Sequence, residues 1–173
     1  MSDAEILNGP RVRLRPPTLD DAEVVFGRIA SDAEVTRYLA WRPHTSVHET
    51  ERVIAALFNR VELTWLIEVD GDVVGLCSAR RPQPYTVVLG YCLGRAWWGQ
   101  GLMSETVSVL LEHVRQDPSV YRVAADCHVD NAGSAAVLRR CGFTFEGRLA
   151  RYAMFPNLSS EPQDALLFGM AVR

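Results

Sequence analysis

The sequence lacks the features that would assign it to a membrane or to a nucleic acid. No apolar run approaches the roughly 18 residues that a helix needs to span a bilayer. The opening residues MSDAEILNGP are acidic and contain neither the basic nor the apolar region of a secretory signal. The net charge of −3 leaves no excess of basic side chains of the kind that nucleic-acid-binding proteins carry. These absences predict a cytoplasmic protein whose partners include neither a membrane nor a nucleic acid.

Cysteine and histidine are sparse, and their spacing matches no common metal or disulfide pattern. The chain has 4 of each, with no CxxC pair and no metal-ligand spacing. The cysteines are Cys77, Cys92, Cys127 and Cys141. In a chain without an export signal we expect such cysteines to be reduced thiols, and we expect no bound metal ion.

The residues that are present are typical of an ordinary globular protein. The apolar fraction is 48% and the charged fraction is 23%. A length of 173 residues is enough to bury a core without disulfides or metal ions. Because no repeat, low-complexity segment or linker divides the chain, we predict a single domain over residues 1–173.

Hydrophobic periodicity predicts a sheet of about seven strands that alternates with helices. Capping-box patterns begin one helix at Thr18 and another at Ser46. The Asp70-Gly71 pair indicates a β-hairpin, and a loop with Pro82 and Pro84 is predicted to follow its second strand. The predicted strands cover about 11–15, 65–69, 73–79, 86–93, 123–129, 143–152 and 165–172, and the two later helices cover 104–115 and 134–141. This order is typical of an α/β fold in which helices cover a mixed sheet.

The most informative segment is LGYCLGRAWWGQGLMSE, residues 89–105. A strand is predicted to end near Leu93 and a helix to begin at residue 102 or 103, with Gly99 and Gly101 between them. Glycine permits a tight turn because it has no Cβ, and the free amides of a helix N-terminus attract phosphate. The segment is not a P-loop, and it lacks the third glycine or alanine of a dinucleotide fingerprint. Spacing alone leaves both phosphate binding and a structural turn open.

The same segment resembles the acetyl-CoA-binding motif of the GNAT superfamily of acetyltransferases. It is most similar to the ribosomal-protein N-terminal acetyltransferases, the RimJ/RimL branch. Three other segments resemble that branch in the expected order, namely PRVRLRPPTLDDAE, EVTRYLAWRPHTSVHETE and VDNAGSAAVLRRCGFTFEGRL. The resemblance covers most of the chain and matches poorly only in the loop over residues 156–163.

The resemblance implies a GNAT domain with a mostly antiparallel sheet, helices on both faces and a split at the acyl-CoA site. The split would separate the strands that end near Leu93 and Val129. Amides near Cys92 and Leu93 would bind the pantetheine arm and polarise the thioester carbonyl, and Asn131 would contact the pantetheine. The implied pyrophosphate-binding residues are Gly99, Gln100, Gly101, Leu102, Met103 and Ser104.

Two positions of the binding loop depart from the family pattern. Trp98 is counted among the coenzyme-binding residues, although the family has Arg or Gln at its position. Met103 replaces a residue that is usually small. Because main-chain amides would bind the pyrophosphate, both changes are compatible with binding, but one side-chain contact with phosphate would be lost.

The resemblance also implies transfer of an acetyl group from acetyl-CoA to a primary amine through a direct ternary complex. Many relatives protonate the leaving thiolate with a tyrosine, at the position that Leu138 occupies here. Ser134 is the predicted substitute as the acid. The alternative is that Asn131 and Ser134 only cap the following helix.

The general base differs from that of many relatives, since Val88 lies where they have a glutamate. His128 is the preferred candidate because histidine titrates near neutral pH. Asp126, on the same face of the strand, is an alternative, as are Glu68 and ordered water.

The resemblance implies that Tyr38, Trp41 and Trp65 line the acceptor pocket, with core packing as the alternative.

Two other functions stay open. One is a domain that binds acyl-CoA without catalysis, which the missing tyrosine and glutamate favour, and the other is a nucleotide-binding α/β protein. The acceptor, either a protein N-terminus or a small amine, and a homodimeric state are not determined by the sequence.

Overall fold

The computed structural model describes residues 5–57 and 62–173, and within these residues eight strands form one sheet. In chain order the strands are β1 (Leu7–Asn8), β2 (Val12–Arg15), β3 (Leu63–Val69), β4 (Asp72–Gln83), β5 (Thr86–Leu93), β6 (Arg122–His128), β7 (Thr144–Ala153) and β8 (Gln163–Ala171). The α-helices are α1 (Ala22–Val25), α2 (Ala33–Thr36), α3 (Val47–Leu57), α4 (Leu102–Arg115) and α5 (Ala132–Arg140). The strand order is β1-β2-β3-β4-β5-β6-β8-β7.

The sheet confirms the predicted fold class. Neighbouring strands are antiparallel except β5 and β6, which are parallel. The strand beyond the predicted set is β1, whose 2 residues are too few to give a periodic pattern.

The helix predicted after Thr18 is a 3₁₀ turn followed by α1 and a π-helical turn over Phe26–Ala30. The Asp21 carboxylate accepts hydrogen bonds from the Thr18 amide at 2.7 Å and the Thr18 hydroxyl at 2.9 Å, and the Asp21 amide donates to the Thr18 carbonyl at 3.1 Å, so Asp21 supplies its half of the predicted capping box.

The hairpin between β3 and β4 turns at the predicted Asp70-Gly71 pair. Both residues have positive φ, 51° and 87°, which a two-residue turn of this hand requires. The predicted loop with Pro82 and Pro84 is shorter than expected: Pro84 lies in the turn before β5, but Pro82 belongs to β4, which continues to Gln83 and pairs there with Thr86. The register shifts between Arg80 and Gln83, an irregularity that accommodates a proline without an amide proton.

Helices cover both faces of the sheet, as predicted. On one face α4 buries Leu110 in a core that includes Phe168 of β8. On the other face Ile29 packs in a smaller cluster with Leu66 of β3 and Cys92 of β5. Successive strand residues alternate between these two cores because strand side chains have a period of two. In the described part of the chain, every helix is too short or too polar to cross a lipid bilayer.

The sheet splits between its two parallel strands. The register pairs β5 with β6 over Thr86↔Arg122, Val87↔Val123 and Val88↔Ala124. Both strands then continue, β5 to Leu93 and β6 to His128. Their carboxyl-terminal halves therefore separate, as the predicted fold requires, and leave an opening in the middle of the sheet.

Candidate active site

A cleft of about 620 Å³ lies at this opening. It is bounded by the end of β5, the loop before α4, the first turns of α4 and α5, and residues 34–39 around α2. Most residues predicted to bind the coenzyme line the cleft, namely Cys92, Leu93, Trp98, Gly99, Gly101, Leu102, Met103, Ser104 and Asn131. Gln100 lies in the same loop and donates its side-chain amide to the Ala96 carbonyl at 2.9 Å.

The loop before α4 presents a row of unpaired main-chain amides. Gly99 and Gly101 have φ of 75° and 77°, a left-handed conformation that glycine adopts without strain. In residues 5–57 and 62–173, no acceptor is found for the amides of residues 99–104, and the next amide, that of Glu105, donates to the Gly101 carbonyl at 3.2 Å. Free amides at the N-terminus of a 14-residue helix form a site for an anionic group.

Glu105 holds this loop to the start of β2. Its carboxylate accepts hydrogen bonds from the Arg11 amide at 2.5 Å, the Val12 amide at 3.0 Å and the Arg11 guanidinium at 2.8 Å. Arg11 also donates to the Gln100 carbonyl at 3.1 Å. Burial of Glu105 acts to raise its pKa, but the hydrogen bonds from Arg11 and Val12 outweigh burial and lower the pKa below its ordinary value. Local sequence patterns could not predict this contact, because the partners are 94 positions apart.

Trp98 connects the loop to the end of β5. Its indole nitrogen donates to the Leu93 carbonyl at 2.7 Å, while 49% of the residue stays exposed beside the cleft. The indole therefore has a structural partner at the position where the family has Arg or Gln. Cys92 precedes Leu93 on β5, and burial raises the pKa of its thiol to about 12. A thiol with this pKa is protonated at neutral pH and is a poor nucleophile.

Ser134 lies in the first turn of α5, where two contacts fix it. The Asn131 side chain accepts a hydrogen bond from the Ser134 amide at 3.1 Å and so caps the helix. The Ser134 hydroxyl is 2.9 Å from the phenolic oxygen of Tyr91, and both side chains line the cleft. Burial raises the pKa of Tyr91 well above its usual range. Tyr91 could not be identified from the family pattern, because it lies on β5, whereas the family tyrosine occupies the position of Leu138 on α5.

His128 lies in the layer behind the cleft wall. Its ring stacks on Tyr38 at a centroid distance of 5.2 Å and meets the edge of Phe155 at 4.8 Å. Its Nδ1 accepts a hydrogen bond from the Asp130 amide at 3.1 Å, so the neutral ring carries its proton on Nε2. Asp126 lies on the same face of β6, and burial raises the pKa of its carboxyl although the charge of Arg80 opposes the rise. The role of His128 as the base stays a prediction.

The family assignment rests on the sequence as well as on this cleft. The sequence model described as an acetyltransferase (GNAT) domain matches residues 11–144. The chain belongs to the GNAT acetyltransferase family. This membership confirms the predicted acetyltransferase class, with acetyl-CoA as the co-substrate.

Relatives of this GNAT protein include the expected branch. An uncharacterized N-acetyltransferase p20 from Bacillus licheniformis is 29% identical over 158 residues, which cover 86% of this chain and 87% of the relative. The ribosomal-protein-serine acetyltransferase of Escherichia coli (strain K12) is 33% identical over 87 residues, 49% of each chain. The solved structure of RimL, a ribosomal L7/L12 alpha-N-protein acetyltransferase in complex with coenzyme A, has a TM-score of 0.85 at 23% identity and covers 96% of this chain and 98% of its own.

The predicted acceptor residues of the GNAT protein do not all lie together. Tyr38 lines the cleft. Trp41 packs beside the smaller core and lies 5.2 Å from the His44 ring. The prediction for Trp65 is corrected, because this residue is completely buried in the main core and donates its indole N–H to the Glu5 carbonyl at 2.8 Å. Its position on β3 directs it to the face that α4 covers.

Proposed function

We propose that this GNAT protein transfers the acetyl group of acetyl-CoA to a primary amine by direct attack in a ternary complex. The observation that carries the proposal is the row of free amides over residues 99–104, beside the split of the sheet. These amides suit a diphosphate because they supply donors and partial positive charge without a cationic side chain. The separated ends of β5 and β6 would then hold the pantetheine arm.

In the proposed reaction the amine lone pair attacks the thioester carbonyl and a C–N bond forms. An amide near Cys92 or Leu93 stabilises the oxyanion that develops. The C–S bond then breaks and its electron pair passes to sulfur. Ser134 passes its hydroxyl proton to the sulfur as the thiolate leaves, and solvent reprotonates Ser134. The proton that the amine loses balances the one that coenzyme A gains.

Asp126 is favoured over His128 as the base that receives the amine proton. The Nδ1 atom of His128 already accepts a hydrogen bond from the Asp130 amide, so it is not free to receive the amine proton. The ring also lies between Tyr38 and Phe155. Asp126 lies two residues beyond Ala124, the last β6 residue that pairs with β5, so it belongs to the separated part of β6. Its raised pKa makes its carboxylate a stronger base than an ordinary one.

The acceptor is proposed to be a protein N-terminus or a small amine. The E. coli relative is named for a ribosomal-protein serine, which supports the first class. The predicted single domain over residues 1–173, of which 1–4 and 58–61 lie outside the described residues, stays a prediction. So does the cytoplasmic location, and a homodimer stays an open alternative.

Two measurements test the proposal. Calorimetry should show binding of acetyl-CoA and none of ATP or NAD, and the reverse would support the nucleotide-binding alternative. Release of free thiol should then be followed with acetyl-CoA and a panel of peptides with N-terminal serine or alanine, free amino acids and polyamines. Coenzyme binding without thiol release for any amine would favour a non-catalytic acyl-CoA sensor.

A further inference from the structure

A hydrogen bond connects the two sides of the split sheet. Tyr91 belongs to the part of β5 that has separated from β6, whereas Ser134 belongs to α5, which follows β6. Their oxygen atoms are 2.9 Å apart, and both residues line the cleft. The contact therefore lies at the opening through which the pantetheine arm would run.

The surroundings of the pair favour one direction for this hydrogen bond. The Ser134 amide is held by the Asn131 side chain, so the start of α5 cannot turn freely. An ordinary phenol is protonated at neutral pH, and burial raises the pKa of Tyr91 further, so this phenol is able to donate. A serine hydroxyl has one proton and two lone pairs. If it accepts from Tyr91, its own proton stays available for a second partner.

We infer that Tyr91 positions Ser134 by donating its phenolic proton to the Ser134 hydroxyl oxygen, which leaves the serine O–H to point at the sulfur of coenzyme A. This inference rests on the proposed function, in which the thiolate leaves beside Ser134. Tyr91 does not itself touch the reacting atoms and exchanges no proton with them. It is a positioning residue, and its effect passes entirely through Ser134.

The ionisation of bound coenzyme A tests this inference without an acceptor. A donor at the sulfur favours the thiolate and lowers the pKa of the coenzyme thiol. The thiolate absorbance of bound coenzyme A is followed against pH in the wild type, Tyr91→Phe, Ser134→Ala and the double variant. Subtracting the same titration with desulfo-coenzyme A removes the signals of protein cysteines and tyrosines. Tyr85→Phe is the matched control, since Tyr85 is 52% exposed and precedes β5.

We expect Ser134→Ala to lower the acid dissociation constant of the bound thiol by about tenfold, the effect of one hydrogen bond to a charged group. Tyr91→Phe should lower it by about threefold, because Ser134 keeps its hydroxyl but loses its orientation. The double variant should match Ser134→Ala, and Tyr85→Phe should match the wild type. With any accepted amine, Tyr91→Phe should lower kcat while the KM for acetyl-CoA stays within about twofold.

The outcomes separate this inference from the proposed function. If Tyr91→Phe leaves the thiol unchanged while Ser134→Ala acts, Tyr91 has no positioning role and acetyl transfer still stands. The inference would also be overturned if Tyr91→Phe changed the thiol pKa equally in the wild type and in Ser134→Ala, because the effect would then not pass through Ser134. If Ser134→Ala leaves the pKa of the bound thiol unchanged, neither Ser134 nor Tyr91 has the inferred role. If coenzyme A does not bind at all, the proposed function itself is rejected.

Discussion

Ser134 and Asp126 lie on opposite faces of the sheet, and of the two only Ser134 is among the residues that line the cleft. Ser134 lies in α5, whose Ala135 belongs to the main core. On β6 the neighbours of Asp126, Ala125 and Cys127, also belong to that core, so the Asp126 side chain points to the face of α1 and α2. A donor on one face and a carboxylate on the other suit a reaction that protonates sulfur and deprotonates nitrogen.

Replacing Ser134 by Ala should lower kcat by about a hundredfold, the lower end of the usual range for general acid catalysis. The affinity for acetyl-CoA, measured by calorimetry, should stay nearly unchanged because main-chain amides provide the binding. The control is Ser108→Ala on α4, which removes a serine hydroxyl bonded to the Ser104 carbonyl at an exposed position. Equal rates for Ser134→Ala and the wild type would remove Ser134 from the acid role.

Asp126→Asn should lower kcat more than His128→Gln does. In the wild type, kcat should fall as the pH falls through the raised pKa of Asp126, because a protonated carboxyl cannot accept the amine proton. Asp126→Asn should lack this acidic limb of the pH profile. A larger loss in His128→Gln would restore His128 as the base, and small losses in both variants would indicate ordered water.

At the scale of elements, the loop before α4 has a conformation that depends on glycine. A Cβ at Gly99 would meet nothing within 4 Å, and the same holds for Gly71 in the β3–β4 hairpin. Both glycines have positive φ, 75° and 87°. The two positions therefore carry the same backbone strain when substituted, and only Gly99 borders the cleft.

Gly99→Ala and Gly71→Ala should each destabilise the protein by about 1 kcal/mol, measured by urea unfolding, because a Cβ disfavours the left-handed conformation. Only Gly99→Ala should weaken acetyl-CoA binding, since a shift of φ would turn the neighbouring amides away from the diphosphate. Equal acetyl-CoA affinities in the two variants would contradict a role for this loop in binding.

Glu105→Gln tests the contact that holds α4 to β2. The folded-state pKa of Glu105 is lowered, so its stabilising effect is present above the ordinary glutamate pKa and is lost as the pH falls through the lowered value. At neutral pH the variant should lose about 1 kcal/mol of unfolding free energy, because a charged acceptor becomes neutral. The difference from the wild type should shrink in acid. A constant difference at every pH would mean that charge is not the cause.

At the scale of the whole molecule, the coenzyme would occupy a gap that the sheet itself leaves open. A ligand that binds only the folded state stabilises it in proportion to the logarithm of its concentration. Acetyl-CoA at about 100 times its Kd should therefore raise the free energy of unfolding by about 2.7 kcal/mol. The increase in Tm should be smaller for Gly99→Ala than for Gly71→Ala at the same coenzyme concentration. An unchanged Tm in the wild type would argue against a site in this cleft.

Sequence patterns predicted the elements better than the contacts between them. The hairpin at Asp70-Gly71, the cap at Asn131 and the start of α4 at Leu102 depend on neighbouring residues, and the structure has each of them. The aromatic residues were harder to place. Trp65 and Tyr38 both lie in segments that the resemblance linked to the acceptor, yet Trp65 is in the core and Tyr38 lines the cleft.

The sequence by itself determined the family, most of the strands and helices and the loop with free amides, because each depends on short segments whose local preferences agree. Only the tertiary structure decided that Glu105 holds Arg11, that Tyr91 meets Ser134 and that His128 lies behind Tyr38. These contacts join residues far apart in the chain. Their geometry depends on where the strands separate and on which face of the sheet each side chain emerges.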